Sequence, residues 1–161
     1  MIIYLVRHAV AMEREDWDKS DESRPLTDEG IERMTEAAKG LARMGLEVDA
    51  VFTSPLTRAR QTADILVKEL QLAKPKLLDC LAGGYPPTDA LVTLQESDYK
   101  AVMMVGHEPD MGHLASFFLG TARPVPFKKG AAMAIDFDGK SGQGKGRLAW
   151  YMTTKVMRHL K

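Results

Sequence analysis

The run Ile2-Ile3-Tyr4-Leu5-Val6-Arg7-His8 decides how the rest of the chain is read. Ile2 to Val6 is continuously apolar and rich in β-branched residues. Such a run suits a strand buried on both faces, as in a parallel sheet covered by helices; a half-exposed strand would alternate. The run stops at once on a cation and an imidazole. In open parallel sheets, ligand sites form beyond the carboxyl ends of the strands. This strand therefore ends on chemically useful residues at the place where such folds bind ligands.

The same arrangement recurs downstream. Thr27 reads as a helix N-cap, with Asp28 and Glu29 in a first turn whose dipole favours acids. Ile31, Met34, Ala38 and Leu41 follow at helical spacing, and Gly45 marks a stop. Ala50 to Thr53 is a second short strand. Pro55 sits where a first helical turn tolerates proline, and Leu56, Ala59, Ala63, Leu66 and Leu70 form one apolar stripe. Lys76 to Leu78 reads as a short strand, and Pro86 and Pro87 open a helix to about Leu94. Ala101 to Val105 is another buried strand, ending at Gly106-His107. Pro109 then starts a helix holding Met111, Leu114, Ala115, Phe118 and Leu119. In the tail, Met133, Ile135 and Phe137 alternate with other residues, as do Leu148, Trp150 and Met152. With the Gly-rich segment from Gly139 to Gly146 between them, they read as an antiparallel hairpin at a sheet edge.

The expected fold is thus a three-layer α/β/α sandwich with a mostly parallel central sheet and a C-terminal antiparallel hairpin. The chain has 161 residues, about one domain's worth, so residues 1–161 are read as a single domain. A domain of this size buries roughly 70% of its unfolded surface and needs no covalent staple. Apolar residues at 45% and charged residues at 27% exclude disordered and coiled-coil classes. Lys plus Arg and Asp plus Glu each total 22, so the net charge is zero, without the basic excess of a nucleic-acid binder. Cys80 is the only cysteine, which rules out an internal disulfide and fits a reducing compartment. No apolar run approaches the ~20 residues of a membrane span, and the N-terminus lacks the pattern of a signal peptide. A cytoplasmic protein without membrane or nucleic-acid partners is expected. The charge-dense segment from Ala11 to Arg24 is expected to be a mobile loop.

Two motifs mislead. Gly139, Gly144 and Lys145 match the spacing of a phosphate-binding P-loop. Gly146, however, stands where Ser or Thr must hold magnesium, and a strand follows instead of a helix. His107 and His113 suggest a zinc helix, but they lie six apart with Pro109 between them, whereas the metalloprotease motif needs i and i+4. No metal site is assigned, and His113 and His159 are read as ordinary packed or exposed residues.

Three features remain. Arg7-His8, Thr53-Ser54-Pro55-Leu56-Thr57-Arg58 and Gly106-His107-Glu108-Pro109 each follow a strand, and the last two enter helices. All should converge on one edge of the domain. The set contains two arginines, suited to bidentate phosphate recognition, and two helix starts with free N–H donors. It also contains two histidines, one of them a candidate nucleophile.

With Ser54-Pro55, Arg58 and Gln61-Thr62-Ala63, Arg7-His8 and Gly106-His107 resemble the histidine phosphatase superfamily, the phosphoglycerate-mutase-like enzymes. Leu26-Thr27 and Gly30 match as well. The short length, the tail hairpin and Trp150-Tyr151-Met152 resemble the SixA-type phosphohistidine phosphatase branch. The resemblance implies that His8 is the nucleophile, that Arg7, Arg58 and His107 bind the phosphoryl group with the backbone N–H of Glu108, and that neither metal nor cofactor is needed. The cations should also disfavour protonation of His8 and keep its attacking nitrogen free.

Two departures bear on substrate. Ala9 stands where the family commonly has Gly after Arg-His. Many members supply a carboxylic acid after the third strand, where this chain has Asp79-Cys80-Leu81-Ala82-Gly83-Gly84 without a clear counterpart. Asp79 is read as structural, and Glu13 and Glu108 are left unassigned. A missing acid matters most for an alkoxide leaving group and less for imidazole, which can depart protonated. The connections are also too short for a cap over a small molecule. The expected partner is therefore a phosphohistidine-bearing protein, such as a phosphocarrier or a histidine phosphotransfer domain. The alternatives are a general phosphomonoesterase acting on small phosphate esters, a non-catalytic phosphate-binding module, and a nucleotide binder using Gly139 to Gly146.

Overall fold

The first strand, β1 (Ile2–Arg7), holds Ile3, Leu5 and Val6 fully buried, as a strand covered on both faces must. The computed structural model describes residues 1–160. They form a six-stranded sheet with β2 (Ala50–Thr53), β3 (Lys76–Leu77), β4 (Ala101–Gly106), β5 (Ala132–Phe137) and β6 (Gly146–Met152), in the order β3-β2-β4-β1-β5-β6. β1, β4, β2 and β3 run parallel; β5 pairs antiparallel with β1, and β6 antiparallel with β5. The helices are α1 (Asp28–Arg43), α2 (Thr57–Leu70), α3 (Pro87–Gln95), α4 (Asp110–Leu119) and the short α5 (Thr154–Met157).

The sheet separates two apolar cores. Tyr4, Val6, Val51, Met103, Val105 and Ala134 face α1, α2 and α5. Ile3, Leu5, Phe52, Met104, Met133 and Ile135 face α3 and α4. Neighbouring residues of each inner strand alternate between the cores, so an unbroken apolar run is what a central strand requires. Burying one such side chain contributes roughly 1.5–3 kcal/mol.

Several details differ from the sequence reading. Pro55 is not in the first helical turn: α2 begins at Thr57, because Ser54 Oγ accepts the Leu56 N–H at 3.2 Å and turns the chain there. Ile31 is 38% exposed, and α1 instead buries Gly30, Met34, Ala37, Ala38, Gly40 and Leu41. In the hairpin, Leu148 and Trp150 do not share a face. The register shifts so that Ala134 opposes Trp150 while Ile135 opposes Leu148, leaving Ala149 as the extra residue of a bulge. One inserted residue reverses the alternation, and Leu148 is left 54% exposed. α5 was absent from the expected elements.

The Gly-rich segment is the loop between β5 and β6. Gly139 and Gly144 have φ of 94° and 65°, values that suit glycine, and the Gly144 N–H donates to Phe117 O of α4 at 2.9 Å. Its glycines serve a turn and a close approach to a helix end. Among the described residues no helix is long and apolar enough to cross a membrane.

Candidate active site

Parallel pairing brings the three strand ends together. Arg7 lies opposite Gly106, and Thr53 opposite Val105. The residues that follow are stitched by the backbone: His8 N–H donates to Gly106 O at 2.9 Å and Ser54 N–H to Val105 O at 3.0 Å. His8 and His107 therefore leave neighbouring strands side by side, with ring centroids 5.1 Å apart. Arg58 enters from the second residue of α2. Arg7, Arg58 and both histidines thus meet at one edge, as their positions after strands imply.

Each ring has one nitrogen committed. His8 Nδ1 lies 2.7 Å from Ala9 O. A carbonyl only accepts, so Nδ1 carries the proton and Nε2 keeps its lone pair. His107 Nε2 lies 2.8 Å from Ser54 Oγ. Ser54 is fully buried and its only other partner, the Leu56 N–H, is a donor, so Nε2 is the one acceptor left for the hydroxyl proton, and neutral His107 then carries its own proton on Nδ1.

The arginines are held the same way, by one edge. Arg7 NH1 donates to Phe127 O at 2.7 Å. Arg58 NH1 donates to Asp21 O at 2.9 Å, and NH2 to Asp21 Oδ2 at 3.1 Å. The Arg7 Nε, Arg58 Nε and His107 Nδ1 atoms are buried without a hydrogen-bond partner. A buried polar group normally finds a partner, since leaving one unmade costs about 1–3 kcal/mol. Three such atoms on three converging residues form a donor set suited to an oxyanion.

Burial sets the protonation of the rings. Desolvation drives the His8 pKa down to about 3, against the pull of the Ala9 carbonyl, and His107, Arg58 and Arg7 add repulsion. Desolvation, then Arg58, lowers His107 to about 4. Both rings are neutral near pH 7. The unfolded chain protonates these histidines near 6.5, the folded chain only near 3 and 4. Between these limits the unfolded state binds more protons, so stability is held above pH 6.5 and lost as pH falls toward 4. Urea midpoints measured across this range should fall on acidification, and less steeply for His8→Asn. An identical slope in the variant would show that His8 is not buried in its neutral form.

Several supporting contacts escaped the sequence reading. The segment from Ala11 to Arg24, expected to be mobile, is pinned at Asp21. Besides Arg58, Asp21 accepts from Arg24 Nε at 2.8 Å, while Arg24 NH1 donates to Met12 O at 2.5 Å. A polar loop gives no linear sign that it folds back on a residue 37 positions later. Thr62 and Gln61 join α2 to its neighbours: Thr62 Oγ1 accepts from Ala9 N at 3.0 Å, and Gln61 Oε1 from Leu26 N at 2.8 Å. The Glu108 side chain accepts from Phe127 N at 3.0 Å and so steadies the loop that holds Arg7. Burial raises the Glu108 pKa. His113 is exposed on α4 and far from serving as a partner to His107. Among the described residues, no three His, Cys, Asp or Glu side chains converge as a metal site would need.

The sequence pattern of the histidine phosphatase superfamily (branch 1) matches residues 3–82. An uncharacterized protein of Picosynechococcus sp. is 38% identical over 119 residues, 71% of each chain. The serine/threonine-protein phosphatase Pgam5 of Drosophila yakuba, a mitochondrial protein, is 33% identical over 78 residues; these span 48% of this chain but only 26% of that longer protein. The structure of the protein histidine phosphatase SixA complexed with tungstate has a TM-score of 0.87 at 25% identity, over 98% of this chain and 99% of that one. A SixA structure from Agrobacterium tumefaciens has a TM-score of 0.79 at 22% identity, over 94% of this chain and 97% of that one, a likeness of fold.

Proposed function

This chain belongs to the histidine phosphatase superfamily, and we propose that it removes phosphate from a protein phosphohistidine through a covalent phospho-His8 intermediate. The observation that carries this reading is the donor set. Three buried nitrogens without a partner, on Arg7, Arg58 and His107, belong to the residues that act electrostatically on His8, whose Nε2 lone pair is free. Tungstate, the ligand of the SixA structure, is a tetrahedral oxyanion like phosphate.

In this reading His8 Nε2 attacks phosphorus, and the P–N bond to the substrate ring breaks. The electron pair stays on the departing nitrogen, and a proton on that ring lets it leave as neutral imidazole. Arg7 and Arg58 hold the equatorial oxygens, with His107 Nδ1 and the backbone N–H of Glu108. Water then attacks the phospho-His8 phosphorus, the second P–N bond breaks, and inorganic phosphate leaves. The Ala9 carbonyl keeps the proton on Nδ1 of His8 throughout. Two guanidinium groups take the place of a magnesium clamp, so we assign no metal or cofactor. We take residues 1–161 as one such domain. The partner is a phosphocarrier or histidine phosphotransfer domain, and the site is cytoplasmic.

A second reading is phosphoester hydrolysis, favoured by the fly relatives named as serine/threonine-protein phosphatases. Direct comparison separates the two. Phosphate release from a phosphohistidine protein should outrun release from a phosphoserine peptide and from a sugar phosphate. Much faster release from the esters would replace the first reading by the second.

A further inference from the structure

Thr62 is buried inside α2, one turn beyond Arg58, and nothing in the reaction described above uses it. Its hydroxyl has a single proton. That proton goes to Arg58 O, the carbonyl four residues earlier, at 2.7 Å. A threonine in a helix commonly spends its hydroxyl this way. What is unusual is the other side of the oxygen, whose lone pair accepts the Ala9 N–H at 3.0 Å, across 53 residues of sequence.

This contact lies beside the nucleophile. The peptide joining His8 to Ala9 is clamped at both ends. Its carbonyl, His8 O, accepts from Gly130 N at 2.9 Å, and its N–H donates to Thr62. The carbonyl of the next peptide, Ala9 O, is the group that takes the His8 Nδ1 proton. Fixing the His8–Ala9 peptide leaves only the two dihedrals of Ala9 between it and Ala9 O, which narrows the directions that carbonyl can take and so supports the tautomer and the aim of Nε2. The same hydroxyl ties this peptide to the turn of α2 that carries Arg58.

We propose that Thr62 is a positioning residue that couples the α2 turn bearing Arg58 to the His8–Ala9 peptide, holding His8 with its proton on Nδ1 and Nε2 aimed at the phosphoryl group. The proposal rests on the reading of His8 as nucleophile. Thr62→Val keeps the shape and removes both hydrogen bonds, leaving the Ala9 N–H buried without an acceptor. Thr62→Ser keeps the hydroxyl.

The test follows four quantities in wild type, Thr62→Val, Thr62→Ala and Thr62→Ser. They are the rate of phosphoenzyme formation, the affinity for inorganic phosphate, the melting transition, and the 15N signals of the His8 ring in the free protein. The expected result is phosphoenzyme formation slowed by about 10–100-fold in Thr62→Val, the scale of a lost supporting hydrogen bond or a small misplacement. Phosphate affinity should stay near wild type, since Arg7, Arg58 and His107 keep their own anchors. The ring should shift from the pure Nδ1–H form to a mixture of tautomers, and Thr62→Ser should restore rate and tautomer together. A purely structural role predicts something else: loss of phosphate affinity in step with rate, an unchanged tautomer, and no recovery in Thr62→Ser. That pattern, or a wild-type rate in folded Thr62→Val, overturns the proposal. If Thr62→Val does not fold, Thr62→Ala reads the same quantities with less crowding. Failure of the wild type to be labelled at His8 would instead overturn the functional reading, while the ring signals still decide the role of Thr62.

Discussion

On the proposed reading, His8→Ala should abolish turnover and leave the protein unable to take up acid-labile phosphate, while inorganic phosphate should still bind. The three parts of this result have separate causes. Turnover stops because no other group offers a lone pair where Nε2 stands: His107 Nε2 is occupied by Ser54 at 2.8 Å, and its Nδ1 carries a proton. The loss should be on the order of 10⁶ in rate, as for removal of a nucleophile from another covalent hydrolase. Labelling vanishes because the phosphoryl group has no nitrogen to settle on. Binding survives because the donors belong to Arg7, Arg58 and His107, whose anchors are Phe127, Asp21 and Ser54, not His8. Rapid quench with a labelled phosphohistidine protein reads the first two, and the rise in melting temperature with phosphate reads the third. Acid-labile label retained in the variant would move the intermediate to another residue.

The site was legible where chemistry follows a strand. Arg7-His8, Ser54 and Gly106-His107 lie within two residues of a strand end, so reading the strands placed them. Arg58 followed because it closes the stretch from Thr53 that enters the helix after β2, although that helix starts at Thr57 and not at Pro55. The sheet itself was legible because apolar runs such as Ala101 to Val105 admit one burial, on both faces. What stayed hidden are contacts that a linear pattern does not encode. Asp21 looks like any acid in a polar loop, and only the folded chain brings it to Arg58. The bulge at Ala149 is one residue of mismatch between two strands, a property of the pair and of neither sequence alone. Thr62 reads as a helix residue, and its partner, a backbone N–H, carries no sequence signal at all. The zero net charge, by contrast, was a sum that concealed the arrangement: two arginines beside two neutral histidines at one edge, with Asp21 paired to Arg58 and the other acids spread over the rest of the chain.

Arg58→Ala should slow the reaction by roughly 10²–10³-fold, about 3 kcal/mol of transition-state stabilisation, the measured scale for one oxyanion donor. The effect depends on where Arg58 sits. Its side chain is 8% exposed, so its charge acts on the phosphoryl oxygens with little screening by water. One edge is already fixed on Asp21, which removes most of the freedom a long side chain would otherwise lose on binding substrate. The substitution also leaves Asp21 behind. Its carboxyl is held below the usual range first by the hydrogen bond from Arg24, so it stays ionised without Arg58. A carboxylate facing an incoming phosphate then repels it, and the loss should show in phosphate affinity as well as in rate. Arg58→Ala combined with Asp21→Asn separates the two effects. The double variant should recover part of the lost affinity and none of the lost chemical step, because no donor replaces the guanidinium at the transition state. Arg58→Lys restores charge but neither the fork nor the Asp21 anchor, and it should fall between the two. An unchanged rate in Arg58→Ala would take Arg58 out of the site and leave its unpartnered Nε without a purpose.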